Sequence, residues 1–184
     1  MEEEWESVWR ALARFMRESP EEPNELPLPS FQTNSSSGSS PLHYAVLGDN
    51  VQMARLLLDH NVCPNSFNHY GETPLHWACF RGQSDMIQSL LECGANINLP
   101  DNDKNTPLHW AVLGEQQETI KLLHGLGALG HTKNVDSLTP LQLALEQRSW
   151  RCVLALRFSL HHWRSTATSP SPWLCRLTAR QVSY

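Results

Sequence analysis

The phrase SPLHYA at Ser40 returns as TPLHWA at Thr73 and again at Thr106, and as TPLQLA at Thr139, a strict 33-residue period. A unit that small cannot bury an apolar face by itself. Copies at a fixed period in this range are stable only when each covers the next, so the chain must build a stack of like units.

Each copy carries the same local instructions. Ser40, Thr73, Thr106 and Thr139 can cap a helix through their hydroxyls, and Pro41, Pro74, Pro107 and Pro140 follow at the first helical position, where a missing N–H costs nothing. Leu42, Leu75, Leu108 and Leu141 are expected to point inward. Ala45, Ala78, Ala111 and Ala144 are small enough to let neighbouring helices approach. A turn around Gly48, Gly82 and Gly114 leads to a second helix, clearest in SDMIQSLLECG, where Ser84 is the expected cap and Gly94 the left-handed stop. Its counterparts are VQMARLLLDHN, ending at Asn61, and QETIKLLHGLG, ending at Gly127.

With TPLHxA at a 33-residue period and the later GANIN segment, residues 31–160 resemble the ankyrin-repeat family, with repeats near 40–72, 73–105, 106–138 and 139–160. The resemblance implies an all-α solenoid of stacked antiparallel helix pairs with β-hairpin-like loops at the side. It also implies that the activity is binding to another protein. The recognition positions it implies lie on the hairpin tips and the exposed side of the first helix. In the second repeat these are His69, Tyr70, Glu72, Phe80 and Arg81; in the third, Asn102, Asp103, Asn105 and Leu113; in the fourth, Asp136, Leu138 and Glu146. Leu47, Phe80 and Leu113 share one register, which would align large apolar residues on the concave face, beside an aromatic and an arginine of the kind that anchors interfaces. The fourth copy departs from the pattern, with Gln142 in place of the histidine and Arg148 in place of Gly82, and reads as a degenerate cap. Trp150, Val153 and Leu156 are expected to pack inward there, with Arg148, Arg151 and Arg157 solvated.

The recurring histidine invites a catalytic or metal-binding reading, but the period argues against it. His43, His76 and His109 would lie one repeat apart, roughly 10 Å for packed helices, too far to share a metal ligated at about 2 Å. In the family that the motif resembles, this histidine belongs to a hydrogen-bond network with the threonine and nearby backbone. GLGALG at Gly125–Gly130 satisfies a dinucleotide-binding pattern, yet it follows a helix instead of opening one, so no phosphate would meet a helix amino terminus. Five cysteines, with no CxxC pair, fit reduced thiols. No enzyme activity, metal or cofactor is expected.

Charge is unevenly spread. Residues 1–30 carry eight glutamates against Arg10, Arg14 and Arg17, and the repeats also lean acidic, which argues against direct nucleic-acid binding. The acidic start MEEEWESVWR lacks a secretory signature, and no apolar run is long enough to cross a bilayer. The expectation is a cytoplasmic or nuclear monomer with no membrane partner.

Three segments flank the repeats. In residues 1–18, Trp5, Val8, Trp9, Leu12, Phe15 and Met16 recur at helical spacing and predict an amphipathic helix, either a lid on the first repeat or a partner-binding element. Residues 19–30 form a Pro/Glu-rich linker. Gly38 stands one period before Gly71, so the serine run before it can include the hairpin arm of the first repeat. Residues 161–184 are expected to be a flexible, disordered basic tail; through Leu174, Cys175, Arg176 and Ala179 it resembles the start of a SOCS box, which would imply the substrate-recognition subunit of a ubiquitin ligase.

Overall fold

The computed structural model describes residues 37–165, and side chains as far as Arg157. Among the described residues there are eight helices and no strand: α1 (Pro41–Leu47), α2 (Val51–Asp59), α3 (Pro74–Arg81), α4 (Ser84–Glu92), α5 (Pro107–Leu113), α6 (Gln117–Gly125), α7 (Pro140–Glu146) and α8 (Trp150–Ser165). They pair in sequence. The first helices pack in the order α1, α3, α5, α7, and of the second helices α2 packs on α4 and α6 on α8. None of them is long and apolar enough to cross a membrane.

Each first helix starts as the sequence requires. Ser40, Thr73, Thr106 and Thr139 stand at the N-cap in extended backbone, with proline at the first helical position. The leucine after the proline is buried in the first three copies, and the alanine in all four. Leu141 is half-buried, with no further repeat packed on it among the described residues. The core runs unbroken along the stack, from Leu42 and Val46 through Met86, Ile87 and Leu90 to Ile120, Leu123 and Leu156.

The turns follow the 33-residue period more strictly than their glycines do. Left-handed backbone recurs at Asp49, Gly82, Glu115 and Arg148, so the counterparts of Gly82 are not Gly48 and Gly114, whose φ values are near −85°. Gly114 has a different reason to be glycine: a Cβ there would strike the Phe80 carbonyl. The helix stops come out as expected, with positive φ at Asn61, Gly94 and Gly127. The glycines of GLGALG accordingly end α6 instead of opening a helix.

Some expectations need correction. Ser84 is the first residue of α4, not its cap; Gln83 holds that position without a side-chain cap bond, its amide donating instead to the Val46 carbonyl at 3.0 Å in the preceding repeat. In α2 the cap is Asn50, which accepts from the Met53 N–H. Trp150 is 66 % exposed, whereas Val153 and Leu156 do pack inward, with Cys152 and Ala155 completing the buried face of α8. That face is centred on the far side of the helix from Trp150, which shares the solvent side with Leu154. Helix α8 also continues through residues 161–165, which the sequence assigns to the tail. The amphipathic helix at 1–18, the linker at 19–30 and residues 166–184 lie outside the described residues.

Candidate functional site

The histidine row is a structural spine. His76 is fully buried. Its Nδ1 accepts the Thr73 backbone N–H at 3.0 Å and lies 2.9 Å from the Thr73 hydroxyl, which is a capping box with histidine in the third position. With Nδ1 accepting, the proton sits on Nε2, which donates to the Asn105 carbonyl in the next loop at 3.1 Å. His43 does the same between Ser40 and the Glu72 carbonyl, and His109 between Thr106 and the Leu138 carbonyl. Each imidazole thus closes its own helix start and ties it to the following loop.

Burial holds these rings neutral. It pushes His43 and His76 down to about 4, only partly opposed by the carbonyl each ring faces and, for His76, by Asp101 and Glu72; His109 is lowered for the same reason. A ring whose two nitrogens are both committed and which stays neutral has no free lone pair for a metal and no proton to exchange with a substrate. Among the described residues no three histidine, cysteine or acidic side chains are grouped to hold a metal ion. Burial also raises the Cys79 and Cys152 thiols, which therefore pack as small apolar groups.

The loops project beside the first helices and bond to one another. The His69 N–H donates to the Ser37 carbonyl at 2.9 Å, Asn102 N–H to Tyr70 at 3.1 Å, and Val135 N–H to Asp103 at 2.9 Å. Ser37, the last serine before Gly38, therefore does belong to the first arm. Within each loop an Asx residue organises the turn: Asn68 Oδ1 accepts from the Tyr70 and Glu72 N–H groups, Asp101 Oδ1 from Asn105, and Asn134 Oδ1 from Leu138. These buried residues recur at the repeat period and could have been found by continuing it; they are absent from the candidates because their neighbours vary.

The loops also reach the half-buried indoles. Trp77 Nε1 donates to Glu72 Oε2 and Trp110 Nε1 to Asp101 Oδ2, each at 2.8 Å. Glu72 further accepts from the Asn68 amide at 2.7 Å. Three candidates therefore have internal employment. The Glu72 carboxylate is tied to Trp77 and Asn68, the Asn105 side chain accepts from Asn134, and Leu138 is half-buried with both backbone groups bonded. Each is half-buried and bonded within the scaffold.

The remaining candidates are exposed: His69, Tyr70, Phe80, Arg81, Asn102, Asp103, Leu113, Asp136 and Glu146. Asn102 is partly used, donating from its amide to the His69 carbonyl. Phe80 is 44 % and Leu113 37 % exposed, and the Phe80 ring rests edge-on against Trp110 at 5.9 Å. Leu47, in the same register, is half-buried. Tyr70 on the second loop is 64 % exposed. The tips also carry Phe67 and Val135, exposed apolar residues that the sequence pattern does not single out.

A comparison with curated proteins returns no match. The family model for ankyrin repeats, in three copies, matches residues 17–101 and 85–162. That match covers most of the chain and the whole of the repeated architecture, and repeats of this kind mediate protein–protein interaction. With the 33-residue period, paired helices, capping histidines and linked loops all in place, the chain belongs to the ankyrin-repeat family.

Proposed function

We propose that this protein is a non-enzymatic adaptor, gripping another protein with its loop tips and the concave face beside them. The observation that carries this reading is the exposed set formed by Tyr70, Phe80 and Leu113 with Arg81 alongside. Large apolar and aromatic side chains left in water beside loops whose buried Asx side chains are paired internally are the usual anchors of an interface. Its rim is mixed in charge, with Arg81 against Asp103, Asp136 and Glu146, which suits a polypeptide better than a phosphate backbone. In this reading the chain acts as a cytoplasmic or nuclear monomer.

The test is quantitative affinity purification from cells with the parent and with Tyr70, Phe80 and Leu113 all changed to alanine. Removing the Phe80–Trp110 ring contact costs about 1 kcal/mol, so both chains are first shown to be folded at the working temperature. Partners lost by the variant alone are the expected result. An unchanged partner list overturns the assignment of this face.

A further inference from the structure

The last described repeat departs from its predecessors on one side of α8. Trp150 stands where the second and third repeats carry Ser84 and Gln117, and Leu154 where the first three carry Arg55, Gln88 and Lys121. That side of a second helix looks along the stack towards the next repeat, since Arg55 Nε donates to Ser89 Oγ there at 3.1 Å. Leu145 of α7 belongs to the same end. Its counterparts Val46, Cys79 and Val112, each with a further repeat beyond it, are fully buried, whereas Leu145 is 45 % exposed. Trp150 and Leu154, one helical turn apart, are exposed as well. A solenoid ordinarily finishes on a polar face, because an apolar one invites association.

Charge changes sign at the same place. Arg148 replaces Asp49 and Glu115 of the first and third repeats, and Arg151 replaces Asp85 and Glu118 of the second and third. Arg157 follows Leu154 along α8, where the first two repeats bury Leu58 and Leu91. All three arginines are exposed. From Thr139 to Arg157 only Glu146 opposes them, in a chain whose formal net charge is −5.

We propose that this end of the stack is a second docking surface, and that its occupant is an amphipathic helix of another protein with acidic residues beside its apolar stripe. Helices cover the equivalent face of an inner repeat, α3 packing on α1 and α4 on α2, so a helix is the shape this face fits. Its apolar stripe takes Leu145, Trp150 and Leu154 out of water, and carboxylates at its margins meet Arg148 and Arg157. Two other occupants carry the wrong charge. Residues 166–184 hold Arg176 and Arg180 and no acidic side chain. A second copy docked through the same face would set arginines against arginines.

The test starts from a double variant, Trp150→Gln with Leu154→Lys. It installs the residues that the third repeat uses at these positions, Gln117 and Lys121, so it should melt within a degree or two of the parent. The probe is a displayed library of peptides about 15 residues long, roughly four helical turns, with leucine fixed along one helical stripe and every other position randomised. It is depleted on the double variant and then selected on the full parent chain. The expected result is enrichment of glutamate and aspartate at the margins of the stripe. A labelled selected peptide should then bind the parent roughly tenfold tighter than either the double variant or Arg148→Glu with Arg157→Glu. No enrichment, or enrichment without an acidic excess, overturns the proposal. Melting of the double variant several degrees below the parent also overturns it, because the chain's own residues would then cover the face. A parent that sediments as a dimer when the double variant does not gives the face to a second copy, and overturns it too.

Discussion

At the residue scale the buried histidines set how the protein responds to acid. In the unfolded chain they protonate near pH 6.5, whereas His43 and His76 in the fold resist protonation down to about pH 4. Folded-state values below the unfolded ones mean that the stability they support is complete above about pH 6.5 and is lost as pH falls towards 4. At pH 5 the loss amounts to about 2 kcal/mol for each of these two rings. Thermal melting should therefore drop clearly between pH 7 and pH 5, a range in which ordinary carboxylates stay ionised. His76→Gln should flatten that dependence, because Gln142 shows that an amide can fill the capping role: its Oε1 accepts the Thr139 N–H at 2.9 Å. A melting temperature that is level between pH 7 and pH 5 would contradict this account. The same residues show what local sequence makes legible. A threonine, a proline and a histidine at fixed spacing announce a capped helix start, but the partner of Nε2 lies 29 residues away and emerges only on folding.

Loops are the element in which repeats solve one problem in different ways. The Trp77 indole donates to Glu72, four residues after Asn68, whereas the Trp110 indole donates to Asp101, at the position of Asn68 itself. One carboxylate per loop meets the indole, and its position has moved. Asp101→Asn keeps a carbonyl for the Asn105 N–H but turns an amide towards the indole, leaving a half-buried donor unpaired at a cost of about 1–3 kcal/mol. Adding Asn105→Glu recreates the arrangement of the second repeat and should recover most of that loss in chemical denaturation. If the double variant is less stable than the single one, the two loops are not interchangeable in this way. Glu72 and Asn105 read as recognition residues in the sequence because the family resemblance places such positions on the loop tips. In the folded loops the residue that meets the indole is Glu72 in one and Asp101 in the other, a difference visible only once the loop is folded. Ser84 illustrates the same limit: it has the composition of a cap, but Gln83 reaches back to Val46 and moves the helix start by one residue.

For the whole molecule, stability is a sum of repeats and of the contacts between neighbours, so the ends decide where it opens first. Among the described residues, the pair α7 and α8 has a neighbouring pair on one side only. Leu145 and Leu154 are half in water. Amide hydrogen exchange should be slowest in α3 to α5, where histidine, indole and loop bonds run both ways, and faster in α7 and α8. Uniform protection across the four pairs would show instead that the stack opens as one unit.

The 33-residue period, the proline-capped helix starts, the left-handed stops and the membership of each helix in a stack were determined by the sequence alone, because each depends on side chains within a few residues or on a strict repeat. The tertiary structure alone decided which polar side chains are consumed in holding loops to helices, and that Trp150 stays in water. It also decided that Tyr70, Phe80 and Leu113 remain exposed while Glu72 and Leu138 are half-buried and bonded within the scaffold. Those outcomes depend on what the neighbouring repeat presents to each residue, and a neighbour one full period away in the chain is in contact only after the stack has formed.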